Sequence, residues 1–545
     1  MHMVVPSQPV NINASLGIEY IGVDCDSKTG LHIKHPFLNF FYKDLFFFVV
    51  ILYIAFYTQV WIGKQLVFRV YMRILHISSE VAPFAKVGGL ADVVMGLSQQ
   101  LVKQGHEISI LIPSYGCVDM KQLEPQDFEE RFESTFDGKS RLCVVRHFTY
   151  QKKINVLLLD TEDGYWQQYT SIYGSDVERF LFFCRAIRDW WQEGKADIIH
   201  MHDWPTALLS LFFQREVPTI LTMHNFAFQG WCQWNDLERI GLKEEDFSDP
   251  SLLQDPKGEC LNLVKIGLLT ADKVTTVSPT YAKEVTTPEF GHGLHGVLSS
   301  IGESFIGILN GIDYSYWNPK DDPFLFEHYS VNQRMSAVRA TKKANKVQLF
   351  QCLGIPCRND LPFLATVTRL VEQKGIWLIH DLFMKADELG FQCVVLGSVP
   401  DERAAKAFRE LDAHLRKTGR GGVLLVSDEE CAHRLYAAAD IFVAPSLFEP
   451  CGLTQLIAFK YGAVPLVRRT GGFADTVIDM KNGFLFDEPK IEHLEVAVQK
   501  ALQVYQGESA WEALITCGMH EDFSWKRSGQ QYVKLYQQVA GRYKK

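Results

Sequence analysis

The 545-residue sequence has no Cys-x-x-Cys pair. Its twelve cysteines are scattered, with Cys352 and Cys357 the nearest neighbours, and zinc sites use tighter clusters than this. A disulfide framework is also excluded, since such frameworks are dense and belong to short secreted chains. The thiols therefore read as reduced, in a cytoplasmic protein. Basic charge is scarce as well: 55 lysines and arginines against 64 acidic residues leave a net charge of −9. No basic surface is available to attract nucleic acid or an anionic membrane. HExxH, G-x-S-x-G and Walker A runs are missing, and with them the usual signals of zinc peptidases, serine hydrolases and P-loop enzymes. There is no short-period repeat, low-complexity tract or coiled coil.

One long apolar run is present. Residues 45–62 (LFFFVVILYIAFYTQVWI) carry no charge and are just long enough to be a membrane-span candidate. The run lacks a small-residue cleavage site, and its surroundings are not Ser- and Arg-rich, so signal and transit peptides both fit poorly. Met72 stands directly before the first strand-like run, which favours residues 1–71 being an extension outside the working enzyme, with a membrane tether as the alternative. Asp24-Cys25-Asp26, the nearest thing to a metal-binding carboxylate pair, lies in that extension.

From Met72 onward, short apolar runs alternate with amphipathic helices, the pattern of doubly wound α/β domains. Strands are predicted over 74–78, 108–113, 154–160, 198–201, 219–224 and 273–277, and again over 363–368, 393–397, 423–426, 441–444 and 464–467. Leu90, Val94, Leu97 and Leu101 share one face of a helix that ends at Gly105. The pattern predicts two Rossmann-like domains facing across a cleft, 72–307 and 308–523, with a hinge just before Ile308 and a last helix over 524–543. In parallel sheets ligands bind beyond the C-terminal strand ends, so chemistry is sought there.

Lys86-Val87-Gly88-Gly89-Leu90-Ala91-Asp92 follows the first strand. Its glycines bring backbone N–H groups to a helix N-terminus, and Lys86 adds a full charge. A lone Gly-Gly is more often an ordinary turn. Here Thr470-Gly471-Gly472 follows a strand in the second half in the same way, and two matched turns favour a ligand. His202 closes the strand 198–201, where position favours function over a buried structural histidine; His224 is placed similarly and is the weaker candidate. Arg369 and Lys374 put two cations just past a strand, suited to a diphosphate that gains charge as it leaves. Glu449-Pro450-Cys451-Gly452-Leu453-Thr454 forms an irregular turn opening a helix, whose N–H groups and carboxylate suit sugar hydroxyls. A helix-start carboxylate is the blander reading of Glu449. Gly291-His292-Gly293-Leu294-His295-Gly296 satisfies GxGxxG, but no strand precedes it, so it fails as a dinucleotide fingerprint.

Eight runs occur in the order shown by bacterial glycogen synthases and plant starch synthases: KVGGLADV, HDW, TMHNFAFQG, TVSPTYAKEV, LNGIDYSYW, TRLVEQKG, FEPCGLTQL and RRTGGFADTV. From Met72 to about residue 530 the chain resembles that family, with KVGGLADV and EPCGLTQ the most specific runs. The resemblance implies the GT-B architecture, with an acceptor-side first domain, a nucleotide-sugar-side second domain, and a last helix (524–545) that crosses back. It implies retaining transfer of glucose from ADP-glucose to the non-reducing end of an α-1,4-glucan such as glycogen, without a metal or other cofactor. It also implies roles. Lys86, Gly88 and Gly89 contact the ADP phosphates, Asp92 lies near the sugar, and Arg369 and Lys374 bind the diphosphate. His202 meets the glucosyl 6-hydroxyl with its side chain and the anomeric carbon with its carbonyl. Glu449, Cys451, Gly452, Leu453 and Thr454 surround the donor glucose, with Asn310 at the hinge nearby and Thr470 and Gly471 on the donor side.

Two positions separate the chain from its wider kin. Ile457 stands eight residues after Glu449, where many related retaining transferases have a second glutamate; this matches the family and argues against sucrose-type or lipid-sugar transferases. Ser427 precedes His433-Arg434 where some bacterial members have a tyrosine that stacks on adenine, which leaves ADP against UDP open. A UDP-glucose-dependent relative and a catalytically silent glucan-binding protein are the alternatives, the latter opposed by the presence of Lys86, His202, Arg369, Lys374 and Glu449.

Overall fold

The computed structural model describes residues 71–174, 177–258 and 260–543, and the backbone of four short strands before residue 70. Those four pair as two antiparallel hairpins, Gly22–Asp26 with Gly30–Lys34 and Gln59–Ile62 with Gln65–Phe68, within a separate unit, Met1–Val70. The apolar run 45–62 lies outside the described residues except for its last four. Asp24-Cys25-Asp26 contributes only backbone to the first hairpin. No helix among the described residues is long and apolar enough to cross a membrane.

In the main unit, β1 (Arg73–Ile77), β2 (Glu107–Pro113), β3 (Glu124–Phe136), β4 (Lys139–Tyr150), β5 (Ile154–Thr161), β6 (Ile198–His202), β7 (Thr219–Met223), β8 (Lys273–Thr276) and β9 (Phe305–Gly307) form one sheet. Its order is β9-β8-β7-β6-β1-β2-β5-β4-β3. Strands β6 and β7 are buried at every residue, as expected of strands covered on both faces by helices. The antiparallel ribbon β3–β4 extends the far edge of this sheet and is not anticipated by the apolar pattern, because most of β3 is polar and exposed. A second sheet, all parallel, contains β10 (Phe363–Val367), β11 (Gln392–Leu396), β12 (Gly421–Leu424), β13 (Ile441–Ala444), β14 (Val464–Arg468) and β15 (Phe484–Phe486) in the order β12-β11-β10-β13-β14-β15. Strand β12 begins two residues before the predicted one, which leaves Ser427 in the loop beyond it.

Both sheets start in the middle and grow outward in two directions. The reversal falls between β1 and β6 in the first and between β10 and β13 in the second. At such switch points the loops leaving the strands diverge and open a crevice. The loops after β1, β10 and β13 carry Lys86, Arg369 and Glu449 respectively, and His202 is the last residue of β6.

Six helices frame the crevice and join the two halves: α1 (Gly89–Lys103), α2 (Pro279–Glu284), α3 (Glu429–Ala438), α4 (Thr454–Lys460), α5 (Gly471–Thr476) and α6 (Trp525–Tyr543). Helix α6 buries Tyr532, Leu535, Tyr536 and Val539 in the core of the first domain, so the chain returns there after building the second. Trp525 lies on α1 at Gly96, where an added Cβ would stand 2.1 Å from its Nε1. Two segments thus run between the domains side by side. They touch where the Ile312 N–H donates to the Phe523 carbonyl at 2.9 Å and Ile312 pairs with Ser524 in a parallel bridge.

Candidate active site

A cleft of about 1430 Å³ opens between the switch points. Lys86, Gly88, Gly89 and Asp92 line it from the first domain; Arg369, Lys374, Glu449, Cys451, Gly452, Leu453 and Thr454 line it from the second; and Asn310 lies at the junction. These residues come together because each follows a central strand of its sheet.

The second-domain wall is the better defined. Lys374 donates to Glu449 at 2.6 Å, and the Ser446 hydroxyl donates to the same carboxylate oxygen at 2.9 Å. Glu449 is 5% exposed, so its charge is desolvated and is balanced by Lys374. Gly375 makes this placement possible. Its φ is +65°, and a Cβ there would meet the Pro445 carbonyl oxygen at 2.1 Å, so the chain turns tightly enough to bring Lys374 back over Glu449. Arg369 is exposed in the cleft and makes no side-chain hydrogen bond or ion pair with any described residue, leaving its guanidinium open to an anion. Burial pushes the Cys451 thiol up to about 12, which removes it as a nucleophile and leaves it a packing and turn residue. The Asn310 side-chain oxygen is buried and unpartnered at the cleft wall.

On the first-domain wall, part of the expected anion-binding turn is already occupied. The N–H groups of Val87 and Gly88 donate to the Glu80 carboxylate at 2.6 and 3.0 Å. Glu80, 3% exposed and also bonded by the Tyr173 hydroxyl, acts as an internal anion that shapes the loop. The amides available to a ligand are therefore those of the first turn of α1, from Gly89 on, which have no intrahelical acceptor. Lys86 pairs with Asp92 at 2.8 Å on the surface of the cleft.

His202 stands at the C-terminal end of β6, as read from the sequence, but it does not line the cleft. Its side chain is fully buried behind the cleft wall. Its Nε2 meets His76 Nδ1 at 3.0 Å, and its Nδ1 meets His224 Nε2 at 3.1 Å. It is His224, the weaker sequence candidate, that lines the cleft. The reason is that β6 is covered on both faces and buried at every residue, so a side chain on the strand itself is enclosed and only the chain beyond it reaches the cleft. Burial holds His200 and His202 well below the ordinary histidine range and His76 and His224 down to about 3, so all four are neutral at pH 7. Ring nitrogens of His76, His200 and His202 lie within 4.8 Å of one another, a spacing compatible with a metal ion. They are instead committed to hydrogen bonds, His200 to Tyr536 and Thr222, leaving His76 Nε2 alone unpaired in this group among the described residues.

Asp203, next in the chain, was missed by the sequence reading although it stands in the same HDW run. It lines the cleft with φ +57° and ψ −178°, a conformation that costs a non-glycine residue energy. Its carboxylate accepts the His224 N–H at 2.6 Å and so ties the ends of β6 and β7 together. Burial pushes its carboxyl up to about 7.

Thr470 and Gly471 do not line the cleft. The N–H of Gly471 and the hydroxyl of Thr470 donate to Glu284 of the first domain at 2.9 and 3.1 Å, so the second glycine turn holds a protein carboxylate. Nearby, Asp475 accepts from the N–H and hydroxyl of Thr280 at 2.9 and 2.7 Å. Ser427 is exposed and outside the cleft wall, whereas Tyr316 and Glu429, not singled out from sequence, are part of it.

Switch points facing across such a cleft, with cations on one wall and helix amides on the other, define the two-domain glycosyltransferases as a class. Residues 73–300 match the family described as starch synthase catalytic domain, and residues 355–512 match the group 1 glycosyl transferases. The chain is 39% identical to the glycogen synthase of Protochlamydia amoebophila over 501 residues, covering 86% of this chain and 100% of that one. It is 35% identical to the glycogen synthase of Bacillus subtilis, with 86% and 98% covered. The solved catalytic domain of starch synthase IV from Arabidopsis thaliana, bound to ADP and acarbose, superposes with a TM-score of 0.81 at 36% identity, covering 87% of this chain and 100% of that one. The chain belongs to the glycogen and starch synthase family, and it is a glycosyltransferase of glucan synthesis with the GT-B fold.

Proposed function

We propose that the protein transfers glucose from ADP-glucose to the 4-hydroxyl at the non-reducing end of an α-1,4-glucan, releasing ADP with retention at the anomeric carbon. The observation that carries this reading is the pairing of an unpartnered cation, Arg369, with Lys374 held over Glu449, facing the first turn of α1. That arrangement suits a diphosphate which gains charge as the sugar–oxygen bond breaks. An adenine nucleotide on the donor side is supported by the Arabidopsis relative, solved bound to ADP.

In this reading the C1–O bond to the diphosphate breaks and its electron pair stays with the departing phosphate. The acceptor O4 bonds to C1 on the same face, and its proton passes to a phosphate oxygen. Arg369, Lys374, Lys86 and the amides from Gly89 hold the diphosphate; side chains supply the positive charge, so no metal cofactor is invoked. Glu449, with the turn Cys451, Gly452, Leu453 and Thr454 and the Asn310 side chain, orients the glucosyl hydroxyls. Glu449 is paired with Lys374 and Ser446, which suits a positioning carboxylate better than a nucleophile. His202 acts through its main chain and through His224, which lines the cleft. Buried thiols such as Cys143, Cys184, Cys393 and Cys451, none of them in a disulfide, fit a reducing cytoplasm.

The test is glucan elongation on glycogen with ADP-glucose and UDP-glucose in parallel. Incorporation from ADP-glucose is expected. Incorporation from UDP-glucose alone overturns the donor assignment, and none from either points to a silent glucan-binding protein.

A further inference from the structure

Between the Lys86–Asp92 pair and α3, the cleft contains an aromatic ring and a carboxylate that the transfer chemistry does not use. The first turn of α1 abuts the sugar-side turn: a Cβ on Gly89 would touch Leu453 at 3.6 Å. The diphosphate cations line the same part of the cleft. The strand order β12-β11-β10-β13 sets Glu429, which follows β12, on the far side of β10 and its Arg369 and Lys374 from β13 and its Glu449, and Tyr316 is hydrogen-bonded to Glu429 there. A nucleotide whose diphosphate is held by Arg369 and Lys374, with its sugar at Glu449, extends its base in that direction.

Tyr316 is 40% exposed. Its ring lies nearly perpendicular to those of Trp317 and His433, both with centroids 5.1 Å away and interplanar angles of 87° and 86°, contacts that steady the ring of a residue still open to the cleft. Trp317 is instead stacked on His433 at 4.0 Å. Ser427 has no ring at all and lies outside the cleft wall. The Tyr316 hydroxyl donates to one oxygen of the exposed Glu429 carboxylate, leaving the other oxygen open.

We propose that Tyr316 and Glu429 form the base-recognition end of the nucleotide site, Tyr316 as the stacking surface and Glu429 as the acceptor for an amino group on the base. Stacking on tyrosine tolerates any base. The carboxylate does not: it favours an edge bearing an amino group, as in adenine, and repels the carbonyl edge of uracil. The chain thus places its donor selectivity on a residue of the inter-domain segment. This assignment rests on the ADP-glucose reading of the site.

The experiment is calorimetric binding of ADP, UDP and inorganic pyrophosphate to the full chain and to Tyr316→Ala, Tyr316→Phe and Glu429→Gln, with donor KM and kcat alongside. Tyr316→Ala is expected to weaken ADP about ten- to a hundredfold, as loss of one base stack does, with pyrophosphate affinity and kcat at saturating donor within about twofold. Tyr316→Phe should bind ADP nearly as well as the parent chain. Glu429→Gln should narrow the ratio of ADP to UDP affinity by about tenfold. Unchanged ADP affinity in Tyr316→Ala, or an equal loss of ADP and pyrophosphate, overturns the stacking role, and an unchanged ratio in Glu429→Gln overturns the acceptor role. A parent chain that uses only UDP-glucose overturns the donor reading and Glu429 as its selector. The stacking claim is then decided by whether Tyr316→Ala weakens UDP.

Discussion

Glu284 and Gly471 are 187 residues apart in the chain, yet the carboxylate of one accepts the backbone N–H of the other at 2.9 Å. The contact joins α2 of the first domain to the N-terminus of α5 in the second, and the Thr280–Asp475 bonds lie beside it. A turn with the make-up of an anion site is therefore filled by a carboxylate of the opposite domain, and the contact ties the two domains together. Glu284→Ala leaves the Thr470 hydroxyl and the Gly471 N–H unpaired, a loss of about 1–3 kcal/mol for buried polar groups. The variant is expected to show a larger radius of gyration by small-angle scattering and a raised donor KM. An unchanged scattering profile would count against the contact as a tie between the domains.

Lys374 and Glu449 are expected to fail together. Glu449→Ala should lower kcat by on the order of 10²-fold or more, as loss of a transition-state contact does. Lys374→Ala should do likewise, and it leaves a buried carboxylate without its cation. Because the two touch, the double variant should cost less than the two single effects added. Steady-state kinetics on the three variants measures this, and strict additivity would show that the pair does not act as a unit.

Asp203 makes stability depend on pH. Its carboxyl is raised to about 7 in the fold, above the unfolded value of about 3.9, so the native state holds a proton that the unfolded chain has lost. That contribution is complete below the unfolded value and drains away as pH rises through about 7. Asp203→Asn keeps an oxygen for the His224 N–H but cannot titrate. Between about pH 4.5 and about pH 7.5, the melting temperature should fall less in Asp203→Asn than in the parent. Parallel curves would remove Asp203 as the source.

Gly96→Ala tests the return of the C-terminal helix. The new methyl group would overlap the Trp525 ring, and overpacking of this kind costs about 1–3 kcal/mol. Thermal unfolding should report a lower Tm. Trp525→Leu in the same background should restore part of the loss, because it removes the ring that the methyl group meets.

The central strands of both sheets were legible in the sequence because their apolar runs are short and bounded by loops rich in glycine and polar residues. The ribbon β3–β4 was not, since a polar edge strand pairs through its backbone and leaves little hydrophobic trace. At the site, the strand-end rule led to loops that line the cleft but not always to the residues that do so. It reached His202, whose side chain is enclosed because β6 is covered on both faces, and passed over Asp203, which lines the cleft. Thr470 and Gly471 have the local make-up of a ligand-binding turn, and only the fold reveals that Glu284 already occupies it. Glu80 does the same to the amides of Val87 and Gly88. In both cases the decisive partner is a carboxylate that local sequence patterns do not connect to the turn.

Because the chain passes between the domains twice, and the two passages touch at Ile312 and Phe523–Ser524, the halves are joined like a door on paired pins. A single tether would let one domain swivel and twist freely against the other. Two adjacent tethers restrict the relative motion largely to swinging about the line they share. The wall that carries Glu449 and the wall that carries α1 are thereby held to one line of approach, which keeps the two sides of the cleft in register.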